Sequence, residues 1–170
     1  MNIFALSDSP IESAHQLCDK HIVKMPLETA QMLCSVWHRY GHGDDVPYKE
    51  AHKNHPCTLW AGDFIRNYIW LWEHGMELCF EYTRRYGKTH KCQQVIMNLN
   101  IDKLLNKMSS HPHFCRDGLD ITAHPQCMPD EYKFEGQAWI AYRNYYVGEK
   151  ADIAMWEKSR PAPNWFNILP

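Results

Sequence analysis

The sequence predicts an all-α protein, a single compact domain over residues 1–170 with about four to six helices in an irregular bundle. Three observations favour this class. Apolar residues recur at three- and four-residue intervals along several segments. No two segments alternate as the strands of a hairpin do, and 170 residues, of which 45% are hydrophobic, suit one domain with a sizeable core.

The first long helix is predicted from Ile11 to Tyr40, with Gly41 as its stop. Pro26 interrupts this segment. Because proline has no N–H and its ring collides with the preceding turn, we expect a kink there or two helices, the second beginning at Pro26. Residues 41–56 read as a polar loop.

The clearest helical pattern runs from Cys57 to Tyr86, where large apolar side chains repeat at helical spacing. Gly87 is placed to cap its C-terminus. Residues 109–131 are rich in turn formers, and residues 160–170 are expected to be an extended tail. Further helices are predicted at His90–Met108, Glu135–Val147 and Ala151–Lys158.

Composition limits the classes of function. No apolar run approaches the ~20 residues of a membrane span. The segment MNIFALSDSP lacks the pattern of a secretory signal, so a cytoplasmic protein with reduced cysteines is expected. The formal net charge of −2 argues against a protein that coats duplex DNA, although a local basic cleft stays open.

One polar stripe stands out in the stretch CDKHIVKMPLETA. His21, Lys24, Glu28 and Gln31 share one face of the predicted helix. A solvated surface face, with a weak Lys24–Glu28 pair, explains this pattern. Spacing alone favours this surface interpretation; the alternative is a cleft in which cations tune a carboxylate for acid–base or electrostatic work.

Other segments combine cations with aromatic or amide groups. In HKNHP, Asn54 or His55 can cap the following helix or contact DNA. Tyrosines and lysine or arginine side chains elsewhere can pack in the core or grip an extruded nucleotide. The candidates for this nucleic-acid-binding role are Tyr142, Arg143, Tyr146, Lys158 and Arg160.

Histidine and cysteine are abundant, so a metal site has to be considered. The segments HPHFC and HPQC place five possible ligands within a short span. Their spacing matches no standard zinc finger, so neither a metal nor another cofactor is expected. The five residues are His111, His113, Cys115, His124 and Cys127.

The stretch CDKHIVKMPLE resembles a helix of the phage-type pyrimidine-dimer DNA glycosylases, the phage endonuclease V family. That helix carries Asp-x-His and, seven residues after the His, the catalytic Glu, which here are Asp19, His21 and Glu28. The resemblance continues through residues 55–87 and the segment AYRNYYVGEK. The blocks NHP and CMPDEYK are similar to blocks of phage proteins assigned to this family.

The resemblance implies a helical enzyme that cleaves an N-glycosidic bond of a damaged or modified pyrimidine in DNA, with or without abasic-site lyase activity. It implies an N-terminal amine as nucleophile, Glu28 for proton transfer, and His21 at the backbone of a flipped-out nucleotide. The partner is then DNA, and the expected location is the cytoplasm of an infected bacterium.

Two differences from the family pattern leave alternatives open. Asn2 is bulky for removal of the first residue, so the amine is that of Met1, or Lys20 or Lys24 substitutes for it. Leu27 and Gln31 stand where the family has arginines. Either Lys20 and Lys24 grip the phosphates instead, or the substrate differs. A phage enzyme that transfers a group to a modified pyrimidine, and a non-catalytic nucleic-acid-binding module, are the alternative functions.

Overall fold

The all-α class is confirmed by the computed structural model, which describes residues 1–108, 111, 114 and 120–168. Over these residues the chain forms eight α-helices and no strand, and none of the helices is long and apolar enough to cross a membrane. The helices are α1 (Pro10–Gln16), α2 (Asp19–Arg39), α3 (Pro56–Asp63), α4 (Ile65–Tyr86), α5 (Gln93–Asn98), α6 (Ile101–Met108), α7 (Ala138–Glu149) and α8 (Asn164–Ile168).

The first predicted helix does break in two, but not at Pro26. The break falls at Leu17, whose backbone is extended, and α2 then runs through Pro26. Tertiary contacts satisfy the backbone at the break, since Arg85 donates to the Leu17 carbonyl at 2.8 Å. Pro26 itself is buried, so core packing offsets the hydrogen bond that its ring removes.

The second predicted helix also divides, at the extended residue Phe64, where the N–H of Ile65 donates to the carbonyl of Phe114. Gly87 caps α4 in the left-handed conformation, φ 66°, as predicted. Two other expectations are wrong. The segment 151–158 holds only a 3-10 turn at Ala151–Ile153, and the tail contains the short helix α8.

The core centres on α4, which packs against α1, α2 and α3. Tyr68 of α4 is fully buried, and its hydroxyl donates to the carbonyl of Leu99 while accepting from Trp37 Nε1 of α2. These bonds fix the rotation of α2 against α4. Another face of α2 lies against the buried N-terminal residues.

A buried charge network fixes the start of α2. Glu81 is fully buried in α4, and Arg160 and Arg85 pair with its carboxylate, Arg160 Nε at 2.7 Å from Oε2. Arg85 Nη1 also lies 3.0 Å from Asp19 Oδ1. Burial raises the pKa of Glu81, but Arg160, Arg85 and Arg84 outweigh it and hold that pKa below its ordinary value.

Glu81→Gln is expected to lower the free energy of unfolding by about 3 kcal/mol, because it removes the anion from a buried cluster and leaves its arginines without a counter-charge. Urea denaturation followed by circular dichroism measures the loss. Glu73→Gln, at an exposed position of the same helix, is the control and should change stability by less than about 0.5 kcal/mol. Equal stability of the two variants would contradict a structural role for Glu81.

Candidate active site

Glu28 is a buried carboxylate with a charged group on either side. The residue is only 9% exposed. Its Oε1 pairs with Lys24 Nζ at 2.9 Å, and its Oε2 accepts the backbone N–H of Asn2 at 2.9 Å. The α-amine of Met1 is 3.9 Å from the same Oε2. A buried carboxylate thus stands between a lysine and an N-terminal amine.

Asn2 holds this N-terminal segment in place. Its Oδ1 accepts from the Ile3 N–H at 2.8 Å and from the Tyr142 hydroxyl at 2.8 Å. Its Nδ2 donates to the carbonyl of Cys127 at 2.9 Å. The Met1 side chain is itself almost completely buried. The amine is therefore held against Glu28 by the rest of the protein rather than by one exposed ion pair.

His21 is on the buried side of α2, and the residue is only 5% exposed. Its Nδ1 shares a hydrogen bond with the Tyr146 hydroxyl, and its ring stacks on Phe4 with centroids 4.4 Å apart. Burial, together with the charges of Lys24 and Lys150, lowers the pKa of His21 to about 4. The imidazole is consequently neutral at physiological pH.

The polar stripe of α2 is partly buried and partly exposed, so each of the two interpretations of its spacing fits some of its residues. Glu28 and His21 are buried, as a tuned site requires, whereas the Lys24 side chain is 65% exposed. Beside Lys24, the apolar side chains of Val23 and Leu27 are 45% and 43% exposed. We call Lys20, Val23, Lys24 and Leu27, which all face solvent, the outer face of α2.

The predicted tyrosines and arginines already have partners inside the protein. Tyr142 and Tyr146 are fully buried and support Asn2 and His21 respectively. Arg143 donates to the Leu6 carbonyl at 3.0 Å and lies over the Trp139 ring. Arg160 is paired with Glu81. Direct contact of these four with DNA stays a prediction, and the structure gives them supporting contacts.

The predicted lysines remain exposed. Lys20 and Lys158 line one surface cleft of about 500 Å³, together with Asp19, Val23 and Tyr86 among others. Glu28 does not line this cleft, nor does it line a second cavity of about 840 Å³ that lies beside Trp37 and Asp45. The outer face of α2 thus joins the smaller cleft through Lys20 and Val23.

The HKNHP segment lies close to the N-terminus. His55 caps α3, its Nδ1 accepting the Cys57 N–H at 3.2 Å, so the predicted helix-capping role is confirmed. Asn54 is exposed. Burial, followed by the charge of the N-terminal amine, lowers the pKa of His55, which places this ring beside the Met1 amine.

Sequence reasoning missed two parts of this site. One is Asn2, because residues 2–6 are all buried and a continuously buried segment has no periodic pattern. The other is a pair of thiols, Cys57 Sγ and Cys127 Sγ, 3.6 Å apart. The bond from Cys57 lowers the pKa of Cys127 to about 7, and the same contact raises the pKa of Cys57. Among the predicted metal candidates, His113 and Cys115 lie outside the described residues, and His124 packs against Trp rings.

A family model described as pyrimidine dimer DNA glycosylase matches residues 1–94, which include Glu28, His21 and the N-terminal segment. The chain belongs to the pyrimidine dimer DNA glycosylase family. No curated protein and no solved structure matches it. The match ends before Cys127, Tyr142 and Tyr146, so these three residues, which contact Asn2 or His21, lie outside the part of the chain that the family model covers.

The pKa of His21 should respond to Lys24. Because a nearby cation disfavours the imidazolium, Lys24→Met is expected to raise the pKa of His21 from about 4 toward its ordinary value, and Glu28→Gln to lower it. Titration of the imidazole carbon-bound protons by NMR measures both changes, which should shrink at high salt.

Lys103→Met serves as the control for this titration, since Lys103 is an exposed lysine on α6. An unchanged pKa of His21 in Lys24→Met would show that Lys24 does not act on the imidazole through its charge.

Proposed function

We propose that this protein is a DNA N-glycosylase that removes a damaged or modified pyrimidine, with the α-amine of Met1 as nucleophile and Glu28 as the proton-transfer group. The observation that supports it is the α-amine 3.9 Å from Oε2 of a buried carboxylate, in a member of this family. The substrate partner is DNA, with the target nucleotide extruded from the helix.

The chemistry requires an uncharged amine. α-Amines as a class have a pKa near ~8, well below that of lysine, so a useful fraction is neutral at physiological pH. Oε2 of Glu28 accepts the proton that the α-ammonium of Met1 loses. The amine lone pair then forms a bond to C1′ while the C1′–N bond to the base breaks and its electrons leave with the base. Glu28 then gives its proton to the departing base, and the regenerated carboxylate stabilises the positive charge on the sugar–amine adduct.

A lyase step follows from the same groups. The nitrogen on C1′ passes one of its two protons to the ring oxygen as the C1′–O bond breaks and the sugar ring opens, which gives an iminium ion that keeps the other proton. Glu28 then removes a proton from C2′, and the electrons of that C–H bond expel the 3′ phosphate by β-elimination. Water finally hydrolyses the imine and releases the amine. Lys24, bound to Oε1, leaves Oε2 directed at the amine throughout.

We assign phosphate contacts to the candidate residues whose side chains are exposed to solvent. Lys20 and Lys24 on the outer face of α2, and Lys158 beside it, have exposed side chains, so they are the proposed phosphate ligands, and Asn54 is a further candidate. The neutral imidazole of His21 is proposed to bond the backbone or sugar of the extruded nucleotide, with Tyr146 fixing its orientation. Val23 and Leu27 offer an apolar surface to a base or sugar face.

Borohydride should trap the enzyme on DNA that carries the right pyrimidine lesion or an abasic site, because reduction of the iminium leaves a stable amine bond. Glu28→Gln is expected to slow turnover by about 10²–10⁴-fold while leaving the circular dichroism spectrum unchanged. Glu73→Gln is the matched control on an exposed glutamate.

The screen uses oligonucleotides with pyrimidine dimers, modified pyrimidines and abasic sites, and mass spectrometry of the released products. Free base supports the proposal. A changed nucleoside with an intact glycosidic bond would instead identify group transfer, and binding that gives no product and is insensitive to Glu28→Gln would identify a non-catalytic module.

The trapped adduct is expected on the α-amine of residue 1. Peptide mapping of the reduced adduct locates it, and intact-protein mass shows whether Met1 is present. An added N-terminal extension should abolish trapping, because it converts the amine to an amide, while the same tag at the C-terminus should not. In Lys24→Met the adduct should stay on residue 1; an adduct found on Lys24 or Lys20 in the unmodified protein would refute the α-amine assignment.

A further inference from the structure

Three side chains from distant positions meet beside the N-terminal residues. They are His55 and Cys57 at the start of α3 and Cys127 in the segment that precedes α7. One ligand atom from each lies within 4.8 Å of the other two. The sequence blocks NHP, followed by Cys57, and CMPDEYK, which contains Cys127, thus converge at one point in the fold.

The distances suit a tetrahedral metal ion. Zinc binds thiolate sulfur at ~2.3 Å, so two sulfur atoms on one tetrahedral ion lie about 3.8 Å apart. Cys57 Sγ and Cys127 Sγ are 3.6 Å apart. The two sulfur atoms could therefore bind one ion without movement of the helices. Their separation is too long for a disulfide bond.

The His55 ring can supply the third ligand. Its Nδ1 accepts the N–H of Cys57, and this hydrogen bond must give way when that nitrogen binds the metal. The ring also lies close to Met1. Ligating histidines commonly use one ring nitrogen for the metal and the other for a backbone carbonyl, which fixes the tautomer.

The donor set selects the kind of metal. Two thiolates and one imidazole match the borderline-soft preference of Zn²⁺ and exclude Mg²⁺ and Ca²⁺, which take oxygen ligands. We propose that Cys57, Cys127 and His55 form a zinc site next to the N-terminus, with water as the fourth ligand. Of these three ligands only Cys127 was among the metal candidates in the sequence, because the three follow no finger spacing.

The site has a consequence for the amine. The Cys127 carbonyl accepts a hydrogen bond from the Asn2 side chain, and His55 lies beside the Met1 backbone. A metal that joins Cys127 to α3 therefore fixes both segments against which residues 1 and 2 rest. This last step depends on the proposed function, whereas binding of the metal does not.

Metal content of the full-length protein tests the proposal. The protein is purified under reducing conditions with added Zn²⁺, dialysed, and analysed by elemental mass spectrometry, and Co²⁺ is used as a spectroscopic probe. We expect about one Zn²⁺ per chain and a thiolate-to-cobalt charge-transfer absorption. Bound zinc should protect Cys57 and Cys127 from alkylation, and a chelator should remove that protection.

Variants decide between this site and adventitious binding. Cys127→Ser, at a half-buried position, and Cys57→Ser should each reduce zinc retention by about tenfold or more, while Cys79→Ser, at a buried thiol of α4, should retain it. His55→Ala should weaken binding without removing the charge-transfer band. Circular dichroism and the melting temperature identify any variant that fails to fold. If Cys57→Ser or His55→Ala does not fold, zinc retention by Cys127→Ser decides the test.

Several results would overturn the zinc site. They are retention by Cys127→Ser equal to the unmodified protein, a cobalt spectrum without thiolate absorption, or a Cys57–Cys127 disulfide in zinc-treated, reduced protein. None of these measurements uses DNA. A missing zinc with normal borohydride trapping refutes this site alone, and bound zinc with no trapping on any oligonucleotide refutes the glycosylase alone.

Discussion

The buried carboxylate of Glu28 is the constraint on which the site depends. A carboxylate that is removed from water costs several kcal/mol unless charges and hydrogen bonds replace its hydration. Glu28 obtains these partners from Lys24 on its own helix and from the first two residues of the chain. The N-terminal segment therefore lies inside the protein, where Ile3 and Leu6 are buried in the core.

A second layer of contacts holds this arrangement in place. Asn2 is fixed by Tyr142 and Cys127, and His21 by Tyr146 and Phe4. Phe4 has a φ of 53°, an unusual conformation for a residue with a side chain. Such strain persists only where the surrounding structure over-determines it, and it is typical of functional sites.

The Asp-x-His motif has a divided role. Asp19 does not face the Glu28 cluster. It pairs with Arg85 and accepts the backbone N–H of Glu157 at 2.8 Å, so it anchors the start of α2 to α4 and the C-terminal segment. His21, two residues later, instead contacts Phe4 of the N-terminal segment and Tyr146. One short motif thus combines a structural anion with a buried imidazole that packs on the N-terminal segment.

The sequence by itself determined the all-α class, the cap at Gly87 and the face on which His21, Lys24 and Glu28 stand, because helical periodicity and capping are local properties. It could not fix the breaks at Leu17 and Phe64, where groups far along the chain, from Arg85 and Phe114, satisfy the backbone. Only the tertiary structure showed which polar residues are buried, since Glu28 and Lys24 share a face but differ in solvent exposure. The contacts of Asn2 and the meeting of Cys57 with Cys127 likewise depend on packing between distant segments, which no local spacing records.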